Sequence, residues 1–168
     1  MIRPSTVLLA LSFVGLPGAR VDAQGTASPV LHVHAGARDT SLSAADLRSL
    51  ARHQLKVAAE DSGDSVTVSG YALWDVVQKA GVPSPEASGR QRAATYVRLV
   101  GADGQTAFFA LVELDPGFSR KTVLLGDQRN GRPLDAVEGP WRVFAPDDLR
   151  HARWIRGLVR IDVGTLPP

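Results

Sequence analysis

The sequence predicts an α+β domain, with a mixed or antiparallel sheet of barrel-like curvature and a few short helices. Three observations carry this. Short runs of alternating apolar and polar residues recur along the chain, the period of half-buried strands. Helical spacing is confined to short segments that have their own start or stop signals. The dipeptides Asp103-Gly104 and Asn130-Gly131 stand where hairpin turns belong.

The elements follow in order. "PVLHVHAG" alternates, with Leu31 and Val33 on one side, Val30, His32 and His34 on the other, and a stop at Gly36. In "SLSAADLRSLAR", Ser43 with Asp46 three residues on is a capping-box pattern, and Leu47 and Leu50 share a helical face. "HQLKVAAED" and "VTVSG" read as strands joined by a turn at "SGDS". "YALWDVVQKAGV" is the clearest helix: Leu73, Val76, Val77 and Ala80 form one stripe, with Gly81 at the C-terminal cap position. "PSPEASGRQRA" has the composition of a loop. "TYVRLVGADGQTAFFAL" reads as two strands, "VELDP" as a short helical turn, and "TVLLGDQ" and "WRVFAP" as further strands. In "LVRIDV", Val159, Ile161 and Val163 point inward and Arg160 and Asp162 outward.

The start of the chain has a different character. Arg3 precedes the apolar run Val7 to Leu16, which is too short for a stable bilayer span, and Pro17 and Gly18 break it. Small and moderate residues at Val21 and Ala23 suit cleavage after Ala23. The expected organisation is a signal peptide at 1–23, a short tether at 24–29, one domain at 30–163 and a tail at 164–168. A domain of this size buries roughly 68–70% of its unfolded surface. No second stretch spans a membrane, so the mature protein is expected to be soluble in the periplasm or outside the cell.

Cysteine is absent, which excludes disulfides, a thiolate nucleophile, a thiolate metal ligand and a lipidated cysteine anchor. The pI near 9.4 overstates the basic excess. Removing Arg3, Arg20 and Asp22 with the leader lowers the net charge from +2 to +1. Acids are interspersed among the bases, so the focused field that nucleic-acid binding needs is missing.

Chemistry-bearing groups are few. His32 and His34 share a strand face, but a stable metal site needs three or four ligands. No G-x-S-x-G is present, and Ser69-Gly70 and Ser88-Gly89 read as loop residues. Gly101 to Gly104 precedes a strand, so it reads as a hairpin and not a phosphate loop. The remaining candidate is "GPWRVFAPDDLRHARWIRGLVRIDV", with Arg142, Arg150, Arg153, Arg156 and Arg160. Arg160 alternates with core residues and reads as a solvated face. Arg153 and Arg156 lie three apart, so on one helical turn their guanidinium groups would converge on one oxyanion. Pairing of the two with Asp147 or Asp148 accounts for them equally well.

Taken in order, several segments resemble the oxidoreductase molybdopterin-binding domain, the sulfite oxidase-like fold. They are "SLSAADLRSL", "VTVSGYALWDVVQKAGV", "DGQTAFFALVELDP", the Asn130, Gly131, Pro133 and Leu134 pattern, Gly139, Pro140, Arg142 and Pro146, and "ARWIRGLVRIDV". The resemblance spans about residues 30–163. It implies that Arg153 and Arg156 are the residues for the pterin phosphate, with Arg150 and His151 as neighbours, and that Arg142 ties strands together. Molybdopterin is thus possible by resemblance. The catalytic members hold molybdenum through a cysteine and export the folded, loaded protein through a twin-arginine leader. This chain has neither that cysteine nor that leader, and "DDLRH" replaces a glycine-rich approach. The expectation is therefore a non-catalytic exported domain with no cofactor, binding a small anionic ligand or a periplasmic protein partner. The alternative is a molybdopterin-binding subunit or accessory protein of a periplasmic redox enzyme.

Overall fold

The computed structural model describes residues 28–59, 64–82 and 87–166; the leader, its cleavage point, and parts of the tether, the "SGDS" turn, the Pro-rich loop and the tail lie outside them. The chain opens with a hairpin, β1 (Val30–Ala35) and β2 (Arg38–Ser43), turned at Gly36 with φ +60°. Leu31 and Val33 are buried while His32 and His34 face solvent, as the alternation predicts. Helix α1 (Ala44–Leu47) starts at a capping box: Ser43 Oγ accepts from the Asp46 N–H, and the Asp46 carboxylate accepts from the Ser43 N–H.

Strands β3 (Arg52–Ala58) and β4 (Ser65–Ala72) pair antiparallel and lead into α2 (Leu73–Lys79). Leu73, Val76 and Val77 are fully buried, and Gly81 follows the helix at φ +84°. The helix is shorter at its start than "YALWDVVQKAGV" predicts. Tyr71 and Ala72 complete β4, where they pair with Leu125 and Leu124. Part of the expected loop is also helical: α3 (Gly89–Ala93) begins at Ser88, which forms a capping box with Gln91. Three strands and a helical turn then follow: β5 (Thr95–Gly101), β6 (Thr106–Ala110), α4 (Leu111–Leu114) and β7 (Leu124–Arg129). Asn130 and Gly131 both have positive φ and turn β7 into β8 (Arg132–Pro133). The chain ends with β9 (Arg142–Phe144), a 3₁₀ turn (His151–Arg153) and β10 (Leu158–Thr165).

Two open sheets result, and neither closes into a barrel among the described residues. The first has the order β2-β1-β10-β5-β6, and only β1 and β10 run parallel. The second is antiparallel, β3-β4-β7-β8, with β9 also on β7. A register shift between Leu158 and Arg160 leaves Leu158 and Ile161 fully buried and Val159 only half-buried. One close approach fixes the second sheet. A Cβ on Gly70 would sit 2.1 Å from the Leu125 carbonyl oxygen, at the bulge between Ser69 and Gly70.

Candidate functional site

The segment after β9 is held by aromatic packing. Trp154 is buried, meets Phe144 edge-on at 5.3 Å, and donates its indole N–H to the Ala145 carbonyl at 3.0 Å. His151 stacks on Trp154 at 3.8 Å. The chain from Trp154 onward then runs beside β9: Val143 N–H donates to Ile155 O, and Leu158 N–H to Trp141 O, both at 2.8 Å. These bonds end the 3₁₀ turn at Arg153.

Arg153 and Arg156 therefore do not share a helical turn, and they serve different neighbourhoods. Arg153 makes a two-point contact with Asp148, Nε to Oδ2 at 2.8 Å and Nη2 to Oδ1 at 2.5 Å. Its Nη1 donates to the Phe108 carbonyl at 3.3 Å and lies 3.5 Å from Glu113, and the guanidinium covers the Phe109 ring at 4.0 Å. The Asp148 hydrogen bonds, more than the nearby charges, raise its pKa further above the usual arginine value. A narrow crevice beside it, of about 10 Å³, is lined by Arg153 and Lys121 against Glu113, Asp147 and Asp148, a net charge of −1. Arg150 is exposed just before the turn.

Arg156 is exposed, and its charge acts on Asp135 together with that of Arg129. The Asp135 carboxyl is held below its usual value, first by the Glu138 and Val137 N–H groups it accepts from and then by these arginines. Next to it, the Glu138 carboxylate accepts from Arg129 Nη2 at 2.7 Å and from Arg142 Nη1. Arg142 is fully buried, with its guanidinium over the rings of Phe144 and Trp154 at 5.3 and 5.7 Å. Arg129, Arg142 and Arg156 against Asp135 and Glu138 give a net charge of +1. No local pattern in the sequence singles out Arg129 or Glu138. The signal available was Glu138 four residues before Arg142, on a chain that the Asn130-Gly131 turn folds back.

The other histidines make local contacts. His32 Nδ1 lies 3.2 Å from Ser41 Oγ, and His34 Nδ1 meets Asp39 across the hairpin. Among the described residues no group of three His, Cys, Asp or Glu could hold a metal ion. None of their helices is long and apolar enough to cross a membrane.

No family model matches the chain, and no curated protein matches it. Among solved structures it is similar to the sulfane dehydrogenase SoxCD from Paracoccus pantotrophus, with a TM-score of 0.59 at 16% identity. The match covers 80% of this chain and 38% of that one. The two share a fold, consistent with the sulfite oxidase-like architecture, and the chain spans well under half of that enzyme's length.

Proposed function

We propose that this is an exported, non-catalytic domain on a redox-enzyme fold that binds a small anionic ligand beside its closing segment. The 1–23 leader and the 30–163 domain are part of this reading. The observation that carries it is the excess of positive charge where Glu138 is shared by Arg129 and Arg142, with Arg156 exposed nearby. Of the four predicted site residues, Arg156 has the favoured position. An anion at Arg153 would have to displace Asp148 and enter an acidic groove, while Arg150 is exposed just before the turn and His151 stacks on Trp154.

The second reading, a molybdopterin-binding subunit or accessory protein, draws on the fold likeness alone. The arginine cluster has the donors for a phosphate group. The metal end does not fit, because the sequence contains no cysteine to supply a thiolate.

Calorimetric titration of sulfate and of a phosphate-bearing pterin into wild type, Arg156→Ala and Arg153→Ala tests the proposal. Binding should weaken with rising salt, fall in Arg156→Ala and persist in Arg153→Ala. No binding by any of the three at millimolar ligand would refute it. Metal and pterin analysis of protein taken from its native compartment separates the second reading from the first.

A further inference from the structure

A second cleft lies away from the arginine cluster, at the start of α2. It is a half-open cleft of about 160 Å³, a small site that limits any occupant to about one ring system. Its base is apolar: Ala72 ends β4, Val123 precedes β7, and Leu114 and Pro116 come from the end of α4. Leu73 N–H donates to Val123 O at 2.8 Å, which fixes the start of the helix to this base. Four other side chains give the cavity its chemistry. Trp74 is half-buried, whereas Trp141 and Trp154 are buried in the core. His53 Nε2 lies 3.9 Å from Asp75 Oδ2, and both side chains remain about two-fifths exposed. Lys121 is exposed and supplies the only permanent positive charge in the lining.

Each part narrows the ligand. An indole beside aliphatic walls favours a flat apolar body, since aromatic rings gain from stacking beyond the area they bury. One ammonium group suits a single negative charge, and its long stem lets it follow the ligand. The carboxylate of Asp75 opposes a doubly charged phosphate. A metal is disfavoured by donor count, because the cavity offers one imidazole and one carboxylate. We propose that this cavity is a second ligand site, for a small aromatic monocarboxylate. The ring lies against Trp74, the carboxylate meets Lys121, and the His53–Asp75 pair supplies polar contacts at the far rim. This site shares no residue with the Arg129–Glu138–Arg142 cluster, so its test is independent of the function proposed above.

The test uses indole-3-acetate, its uncharged amide and hexanoate, followed by tryptophan fluorescence and by amide shifts of Trp74 and Lys121. Wild type should bind indole-3-acetate saturably with a dissociation constant below about 1 mM. The amide and hexanoate should each bind about tenfold more weakly, as should Lys121→Ala with indole-3-acetate. Trp74→Leu should lose the binding while keeping its circular dichroism spectrum. Because Trp74 packs on the core, Lys121→Ala at an exposed position keeps the test valid should Trp74→Leu fail to fold. Three outcomes would overturn the proposal: no saturable binding up to about 10 mM, equal affinity for acid and amide, or unchanged affinity in Lys121→Ala.

Discussion

Arg153 and Asp148 are joined by two nearly parallel N–H···O contacts, at 2.8 and 2.5 Å, across the bend that follows β9. The same guanidinium reaches the Phe108 carbonyl on β6, so one side chain ties the closing segment to the edge of the first sheet. The arginine that the sequence offers to a ligand is thus engaged in holding its own loop. Both partners are partly exposed, 30% for Arg153 and 17% for Asp148, so solvent screening keeps the pair modest. Arg153→Ala should cost about 1 kcal/mol, combining a two-point ion pair with the loss of contact over Phe109. Urea unfolding of Arg153→Ala, Asp148→Asn and the double variant measures the coupling. Additive losses would show that the pair contributes nothing.

The buried face of α2 gives a larger effect. Val76 is fully buried between Leu73 and Val77 in a single core cluster. Val76→Asp places a carboxylate there, and no basic side chain belongs to that cluster. Roughly 3–5 kcal/mol should be lost, a large share of an ordinary domain's stability. Chemical denaturation reads this directly, and an unchanged midpoint would show that the position is not core.

These two cases mark what the sequence reveals and what it hides. The stripe of Leu73, Val76 and Val77 and the alternation in β1 are local periodicities, and each has the burial that its period implies. The closing segment depends on distant partners. Spacing alone places Arg153 and Arg156 one turn apart. The hydrogen bonds of Val143 and Leu158 with the chain beside β9 end that turn after Arg153. Arg142 is a different case: the resemblance implies that it ties strands together, but its partner Glu138, which Arg129 also binds from β7, is not marked by any local period. Helix α3 was obscured by composition: proline, glycine and serine outweighed the short Ser88-to-Gln91 capping signal.

The capping box at α1 makes stability depend on pH in a defined direction. Asp46 has its carboxyl held below the usual 3.8, first by the Ser43 hydroxyl and then by the Ser43 N–H. A carboxyl with a lowered folded value contributes stability that is present above the unfolded value and lost as pH falls through the folded one. The loss therefore lies below pH 3.8. Asp46→Asn should remove that part of the acid dependence and leave the slope at higher pH unchanged. Thermal midpoints of both proteins across the acid range are the measurement, and parallel curves would refute the assignment.

The most consequential single change is at Glu138. Its carboxylate is the shared acceptor for Arg129 and Arg142, and Arg142 has no solvent-accessible surface through which water could replace it. Removing Glu138 takes a charged acceptor from a buried guanidinium, so its desolvation is offset less well. Glu138→Ala should therefore cost roughly 3 kcal/mol, well above the figure for Arg153→Ala. Glu138→Gln keeps the shape and one acceptor oxygen, so it should lose less. An anion-binding cluster adds a further consequence. With Glu138 gone the local charge rises from +1 to +2, and an oxyanion should occupy the position of the missing carboxylate. Sulfate stabilises most proteins by exclusion from their surfaces, so the informative quantity is the difference between variant and wild type. Thermal midpoints should rise more for Glu138→Ala than for wild type when sulfate replaces chloride at matched ionic strength. Equal increments would mean that the cluster ties strands together and does not accept an anion.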